Sequence, residues 1–481
     1  MEGVFGREEE IRVLNKIIGS EEAEFLAVYG RRRVGKTFLI DRYFRTRGIY
    51  FHFTGMKGAT LKEHLALFHE AFCRRFSRAV SPMKSWLGAF SHLKEAIDLL
   101  DKNQKVIIFF DELPWLDTPK SGFLKILDHF WNDYFSRMPN AILIVCGSAA
   151  SWMIEKIVHN KGGLHNRLTS TIRLEPFSLK KTESYLHARN LNLSRKQIVD
   201  VYMATGGVAK YLSYIERGQS SSQIIQNLCF EKNSPLINEY KNLYSSLFNN
   251  YQDYLEVVEA LSKKRSGLTH TQLLQATKRS SGGRFTTILD ELREAGFIGV
   301  IPAWNMKKKT SKYFLSDEYS FFYLTWIKQA TSINLQAISS DYWISQQGSA
   351  KFAAWSGFAF ETICKKHISE IARALKLEVV ATGAVHWDDS LKSENQIGCQ
   401  IDLIIDRADQ CMNLCEIKYY NSELLLKPDE AHKMLYRRER FKEVTKTKKT
   451  LFNTLLSVYG AKKNSSYMEA FDNQLTIDAL F

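Results

Sequence analysis

The sequence predicts an α/β protein of several domains. A parallel sheet built around a phosphate-binding loop comes first, then a helical segment, a module of helices and a hairpin, and a second α/β domain at the C-terminal end. Three observations carry this. Gly30-Arg31-Arg32-Arg33-Val34-Gly35-Lys36-Thr37 fits the spacing glycine, four residues, glycine-lysine-threonine, with a short apolar strand before it (24–29) and a helix after it (38–46). The run 105–110 is apolar after Lys105 and ends in Asp111-Glu112, as expected of a strand in the middle of a parallel sheet. Asp402 and the pair Glu416 and Lys418 fall on two neighbouring strand candidates late in the chain.

A chain of 481 residues is too long for one core. The expected divisions are 1–178 for the first sheet and its loops, 179–245 for a helical lid, 246–330 for the middle module and 331–481 for the last domain. The 45% hydrophobic content is enough to bury several cores, and only 8 prolines and 26 glycines argue against long disordered linkers. The net charge of +14 favours a polyanionic partner, nucleic acid before anionic membrane. No apolar run approaches the roughly 20 residues of a spanning helix, and Met1 to Arg7 leads into an acidic helix rather than a secretory signal. The 7 cysteines sit in apolar contexts, which reads as reduced core residues of a cytoplasmic protein. Cys411 and Cys415 have no second ligand pair nearby for zinc.

Each element of the first module has an expected task. The loop Gly30 to Thr37, including Arg31, Arg32, Arg33 and Val34, would turn backbone N–H groups toward phosphate oxygens at a helix N-terminus. Lys36 would reach the β- and γ-phosphates of ATP, and the Thr37 hydroxyl would ligate Mg²⁺. A second strand is expected over 48–53 and a helix over 60–76. At the carboxyl end of the third strand, Asp111 would hold the hydration shell of the Mg²⁺, and Glu112 would polarise the attacking water. The strand 141–146 ends in Gly147-Ser148, where Ser148 would contact the γ-phosphate or the water, or simply close a turn. Arg167, just before a fifth strand at 171–174, would reach a neighbouring subunit's nucleotide in a homo-oligomer, or be a plain surface charge.

With Thr205-Gly206-Gly207-Val208-Ala209-Lys210 closing the lid and Gly6-Arg7-Glu8-Glu9-Glu10 opening the chain, the order of motifs resembles the archaeal-type ATPases of the AAA+/STAND-like P-loop class. The resemblance covers the first half well. It implies an ATP-binding Walker A loop, a Walker B strand and a lid. One departure is Ala209, where relatives usually carry proline.

In the middle, a helix around 254–261, a short second helix at 272–276, a third at 285–295 and two strands bracketing Lys307-Lys308-Lys309 follow the winged-helix plan. Such a module either places its third helix in the major groove of DNA with the basic wing near phosphates, or packs between domains. In the last domain Glu416 and Lys418 are two apart on a strand and so share a face, and hairpin pairing would bring Asp402 alongside. Carboxylates so placed hold Mg²⁺ ions while the lysine assists phosphodiester hydrolysis. Preceded by a helix carrying Glu361, this resembles the PD-(D/E)xK nuclease core, with Glu361, Asp402 and Glu416 as metal ligands and Lys418 catalytic; Gln400 stands where relatives often have glutamate. Past Tyr420 the chain is strongly basic, either a solvated helix face or counter-charges for a phosphate backbone, and Tyr419, Tyr420 and Tyr436 interleave with it as stacking platforms or, for at least one of them, as core.

The whole reads as a cytoplasmic P-loop ATPase using ATP and Mg²⁺, joined through a winged-helix-like module to a metal-dependent, DNA-directed nuclease-type domain. The alternative is an ATP-dependent switch or scaffold that binds nucleic acid or protein without cleaving it.

Overall fold

The computed structural model describes residues 4–101, 103–158, 167–248, 250–264, 266–304, 311–333, 341–389 and 399–481. The chain forms two compact units, Met1–Pro176 and Phe177–Phe481.

In the first unit five strands, β1 (Glu24–Tyr29), β2 (Ile49–Thr54), β3 (Val106–Asp111), β4 (Ala141–Gly147) and β5 (Ser170–Arg173), form one sheet in the order β2-β3-β4-β1-β5. Every pairing is parallel. The apolar character of β3 and β4 has a direct cause: every residue of both strands is buried, because helices cover both faces. Alternation along β1 divides the core. Phe25 and Ala27 join the face packed by the helices Leu61–Phe76, Trp86–Asp98 and Phe123–Asp133, while Leu26 and Val28 join the face packed by α1 (Glu8–Gly19) and α2 (Lys36–Phe44). All five strands run the same way, so their carboxyl ends gather along one edge.

The second unit begins with short helices between Leu179 and Leu247. The helices Gln252–Lys263, His270–Thr277 and Gly283–Glu294 follow, packed beside a three-stranded antiparallel sheet of order β6-β8-β7, where β6 is Leu268–Thr269, β7 Ile298–Ile301 and β8 Lys312–Leu315. Lys307 to Lys309 lie outside the described residues. Beyond β7 the backbone continues into the next sheet. The Trp304 N–H donates to the His386 carbonyl at 3.0 Å and the His386 N–H donates to the Pro302 carbonyl at 3.1 Å. Trp304 then packs on Phe441, with ring centroids 6.0 Å apart. Backbone bonds of this kind hold the middle module to the last sheet.

That last sheet has the order β13-β12-β11-β10-β9, with β9 (Ala381–Asp389), β10 (Cys399–Arg407), β11 (Cys411–Lys418), β12 (Thr450–Ser457) and β13 (Asn473–Leu475). The pairs β9/β10 and β10/β11 are antiparallel; β11/β12 and β12/β13 are parallel, the crossover being the helix Pro428–Thr445. On β11, Cys415 and Ile417 pack in the same core as Phe360, Ile363 and Cys364 of the helix Ala350–Lys366. Met412 and Leu414 pack on the other side with Phe441 of the crossover helix. Among the described residues no helix is long and apolar enough to cross a membrane.

Candidate nucleotide site and C-terminal carboxylate

The loop after β1 closes on itself. The Lys36 ammonium donates to the carbonyls of Gly30 (2.9 Å) and Arg31 (3.0 Å) and is buried. Gly30 has φ +144° and a side chain there would stand 2.2 Å from the Leu174 carbonyl oxygen, so only glycine lets the loop leave β1 beside β5. Gly35, φ +100°, opens α2 in a conformation that leaves the first amides of the helix pointing into the loop. From α2 the Thr37 hydroxyl donates to Asp111 Oδ2 at 2.7 Å, and the other Asp111 oxygen accepts the Glu112 N–H at 2.9 Å. Burial works to raise the Asp111 carboxyl, but His52 and Thr37 more than offset it and hold it below the usual carboxylate range. The chain turns sharply at Glu112, whose φ of +48° is rare for a side-chain-bearing residue. That turn brings its Oε2 to Ser148, which donates from both hydroxyl (2.8 Å) and N–H (3.3 Å). Strand ends β1, β3 and β4 thus place an ammonium, a hydroxyl and two carboxylates along one edge.

Residues 4–215 match the model of an ATPase domain predominantly from Archaea. The chain carries an archaeal-type ATPase domain. Over 378 residues it is 25% identical to an uncharacterised protein of Methanocaldococcus jannaschii, covering 77% of this chain and 78% of that one. Among solved structures it is similar to the Walker-type ATPase of Pyrococcus abyssi, with 18% identity and a TM-score of 0.47 over 67% of this chain and 96% of that one. It is also similar to the ORC2 protein of Aeropyrum pernix, with 13% identity and a TM-score of 0.45 over 70% and 97% of the two chains.

Within the ATPase domain the structure adds two residues, Arg7 and His52, to which reading the motifs gave no role. Arg7, buried, donates to the Val34 carbonyl of the loop at 3.0 Å and pairs with Glu10 at 3.2 Å. Burial pulls its guanidinium below the ordinary arginine value, against the pull of Glu10. His52 of β2 sits between Asp41 of α2, 3.2 Å from Nδ1, and Asp111, 3.9 Å from Nε2. Burial alone would depress this imidazole; the two carboxylates outweigh it and push it up to about 9. A histidine inside the otherwise apolar run Tyr50-Phe51-His52-Phe53 was the available signal. Ser148, expected at a phosphate, at a water or simply in a turn, is bonded to Glu112. Arg32 and Arg33 are half-buried and Arg31 buried. Arg167 is exposed, and Lys210 lies over the Tyr214 ring at 4.7 Å.

The C-terminal candidates are distributed differently. Glu416 is bridged by two cations: Lys418 Nζ lies 2.7 Å from Oε1 and Arg437 Nη1 2.7 Å from Oε2. Burial would lower the Lys418 ammonium, but Glu416 wins and raises it. The side chain of Asp402 lies outside the described residues; its neighbour Leu403 pairs with Cys415 in the β10/β11 ladder. Glu361 is placed elsewhere. It belongs to the helix that packs against the Cys415 and Ile417 face of β11, and alternation puts Glu416 on the opposite face. It pairs with Lys365 at 3.9 Å and lines a groove with Lys264, Phe314 and Leu315. Among the described residues no three acids, histidines or cysteines come together as a metal cage. Of the three tyrosines Tyr419 is the one in the core: it is bonded to Asp200 and packs on Phe360. Tyr420 and Tyr436 are exposed. Of the basic run, Lys449 pairs with Asp406 at 2.6 Å and Arg440 with Glu443 at 2.9 Å. Lys433, Lys442, Lys446, Lys448, Lys462 and Lys463 are exposed and pair with no carboxylate among the described residues.

Proposed function

We propose that the first unit binds ATP with Mg²⁺ and hydrolyses it. The observation that carries this is the 2.7 Å bond between Thr37 and Asp111: a hydroxyl and a carboxylate meeting at the mouth of a glycine-flanked loop are the hard oxygen donors that Mg²⁺ takes. The metal, when bound, neutralises phosphate charge. The rest of the work falls to the chain. Loop amides and Lys36 grip the β- and γ-phosphates, Lys36 exchanging the carbonyls of Gly30 and Arg31 for phosphate oxygens. Asp111 orients the donors around it. Glu112, once released by Ser148, polarises the attacking water. Arg167, exposed beside β5, fits contact with a neighbouring subunit's nucleotide. Nucleotide binding by the full chain and by Lys36→Ala tests the placement of the phosphates: the variant loses ATP, and binding equal to wild type refutes the reading.

For the second unit we propose action on DNA, with the module 246–330 as a winged helix and 331–481 as a PD-(D/E)xK-like domain. A helix, three antiparallel strands, a crossover helix and a parallel strand support it, as do Glu416 and Lys418 two apart on the central strand. Metal-dependent cleavage then depends on Asp402 joining Glu416. The described donors alone do not fit a metal, since both Glu416 oxygens already carry cations, and this favours the second reading, a domain that binds nucleic acid or protein without cutting. The pairing of Pro302 and Trp304 with β9 likewise favours a winged helix that packs between domains. Incubating plasmid with wild type and with Asp402→Ala, in Mg²⁺ and in Mn²⁺, separates them: nicking lost in the variant supports cleavage, and intact plasmid with both proteins supports binding alone.

A further inference from the structure

His52 belongs to no phosphate-binding motif, yet its ring is fixed from four directions. It stacks on Phe109 of β3, with centroids 4.5 Å apart and planes 28° from parallel. Its Nδ1 lies 3.2 Å from Asp41 Oδ1, an oxygen that also accepts the Tyr50 hydroxyl at 2.6 Å. Its Nε2 lies 3.0 Å from the Thr54 hydroxyl and 3.9 Å from Asp111 Oδ2. Asp41 stands one helical turn after Thr37 on α2, and Asp111 accepts the Thr37 hydroxyl. The imidazole therefore spans from the helix that carries the loop's threonine to the strand that carries the acid facing it. Few side chains can do this. A rigid ring with a nitrogen at each end serves two carboxylates at once, whereas an amide offers its donors from a single nitrogen. The ring is only about a quarter exposed, at 26%, so water competes weakly for either carboxylate.

We propose that His52 is a positioning residue for ATP hydrolysis: anchored on Asp41, it holds the Asp111 carboxylate in its orientation toward Thr37, so that both oxygens present correctly when nucleotide and metal arrive. The inference rests on the nucleotide reading given above. It acts on the rate, because the groups that grip ATP itself, the loop amides and Lys36, do not touch His52.

The test uses the full chain as wild type, His52→Ala, His52→Gln, His52→Asn and Lys36→Ala, with ATP binding and Mg²⁺-dependent hydrolysis measured separately and folding followed by circular dichroism. His52→Ala binds ATP as wild type does, while kcat falls about 10- to 100-fold, the loss typical when a partner that orients a metal ligand is removed. His52→Gln, whose amide nitrogen extends to the Nε2 side and Asp111, recovers part of the rate; His52→Asn, which reaches only the Nδ1 side and Asp41, does not. Unchanged kcat in His52→Ala, with hydrolysis abolished in Lys36→Ala, overturns the role of His52 and leaves the nucleotide reading standing. Wild-type protein without Mg²⁺-dependent hydrolysis overturns both. A common loss of melting temperature and rate in all three His52 variants marks a merely structural residue and also overturns the proposal.

Discussion

The two large sheets of this chain treat their chemical side chains in opposite ways. In Met1–Pro176 the strands are all parallel, so β1, β3 and β4 end on the same edge, and whatever follows each strand is delivered to one place. Lys36, Thr37, Asp111, Glu112 and Ser148 meet there although they come from three separate parts of the sequence. In the C-terminal sheet β10 runs against β11, and which side chains can meet depends on parity as well as direction. Glu416 and Glu361 both belong to the carboxylate pattern, yet one extends from the face that carries Met412 and Leu414, and the other comes from a helix on the face that carries Cys415 and Ile417. A parallel sheet gathers strand ends by topology alone; a mixed sheet gathers side chains only where register and face agree.

The contrast is open to attack, beginning where the effect is largest. Gly30→Ala puts a methyl group 2.2 Å from the Leu174 carbonyl oxygen in a conformation that L-residues rarely adopt, so the loop must leave its place and ATP binding is expected to vanish in a fluorescent-nucleotide titration; retained affinity means that the edge does not depend on this approach. Glu112→Gln keeps the shape of the turn and the contact with Ser148 while removing the carboxylate proposed to polarise the water. It is expected to bind ATP and to hydrolyse it about 10²- to 10⁴-fold more slowly, and a wild-type turnover rate makes Glu112 structural.

Burial offers a subtler probe. Neighbours on β4 are buried on both faces, so Ile142→Ala and Leu143→Ala should each cost about 2–5 kcal/mol in urea unfolding. On β11 the cost should alternate, comparable for Ile417→Ala and about 1 kcal/mol for Glu416→Ala, whose partners are partly exposed. Equal costs at 416 and 417 contradict the face assignment. The smallest effect is with pH. His52 is raised from an ordinary histidine value to about 9 by its carboxylates, so its contribution to stability is complete below about pH 6.5 and is lost as pH rises through about 9. Melting temperatures of metal-free protein at pH 6, 7.5 and 9.5 should show a decline that His52→Gln flattens; parallel profiles remove His52 as its source.

Local pattern alone was enough to specify the first sheet. The spacing Gly30 to Thr37 between an apolar strand and a helix, and an unbroken apolar run ending in two acids, dictate a parallel sheet covered on both faces with its chemistry at the strand ends, because there each consequence follows from residues adjacent in sequence. Tertiary packing decided the rest. No period in the sequence announces that Arg7 bonds to Val34 across 27 residues, that Ser148 holds Glu112, or that His52 joins two carboxylates, since each depends on which strand lies beside which. Likewise Glu361 looked like a partner of Glu416 in sequence, and only the choice of sheet face by the helix Ala350–Lys366 set them apart; that choice follows from where Phe360, Ile363 and Cys364 find apolar surface to bury, a property of the assembled core rather than of any short stretch of chain.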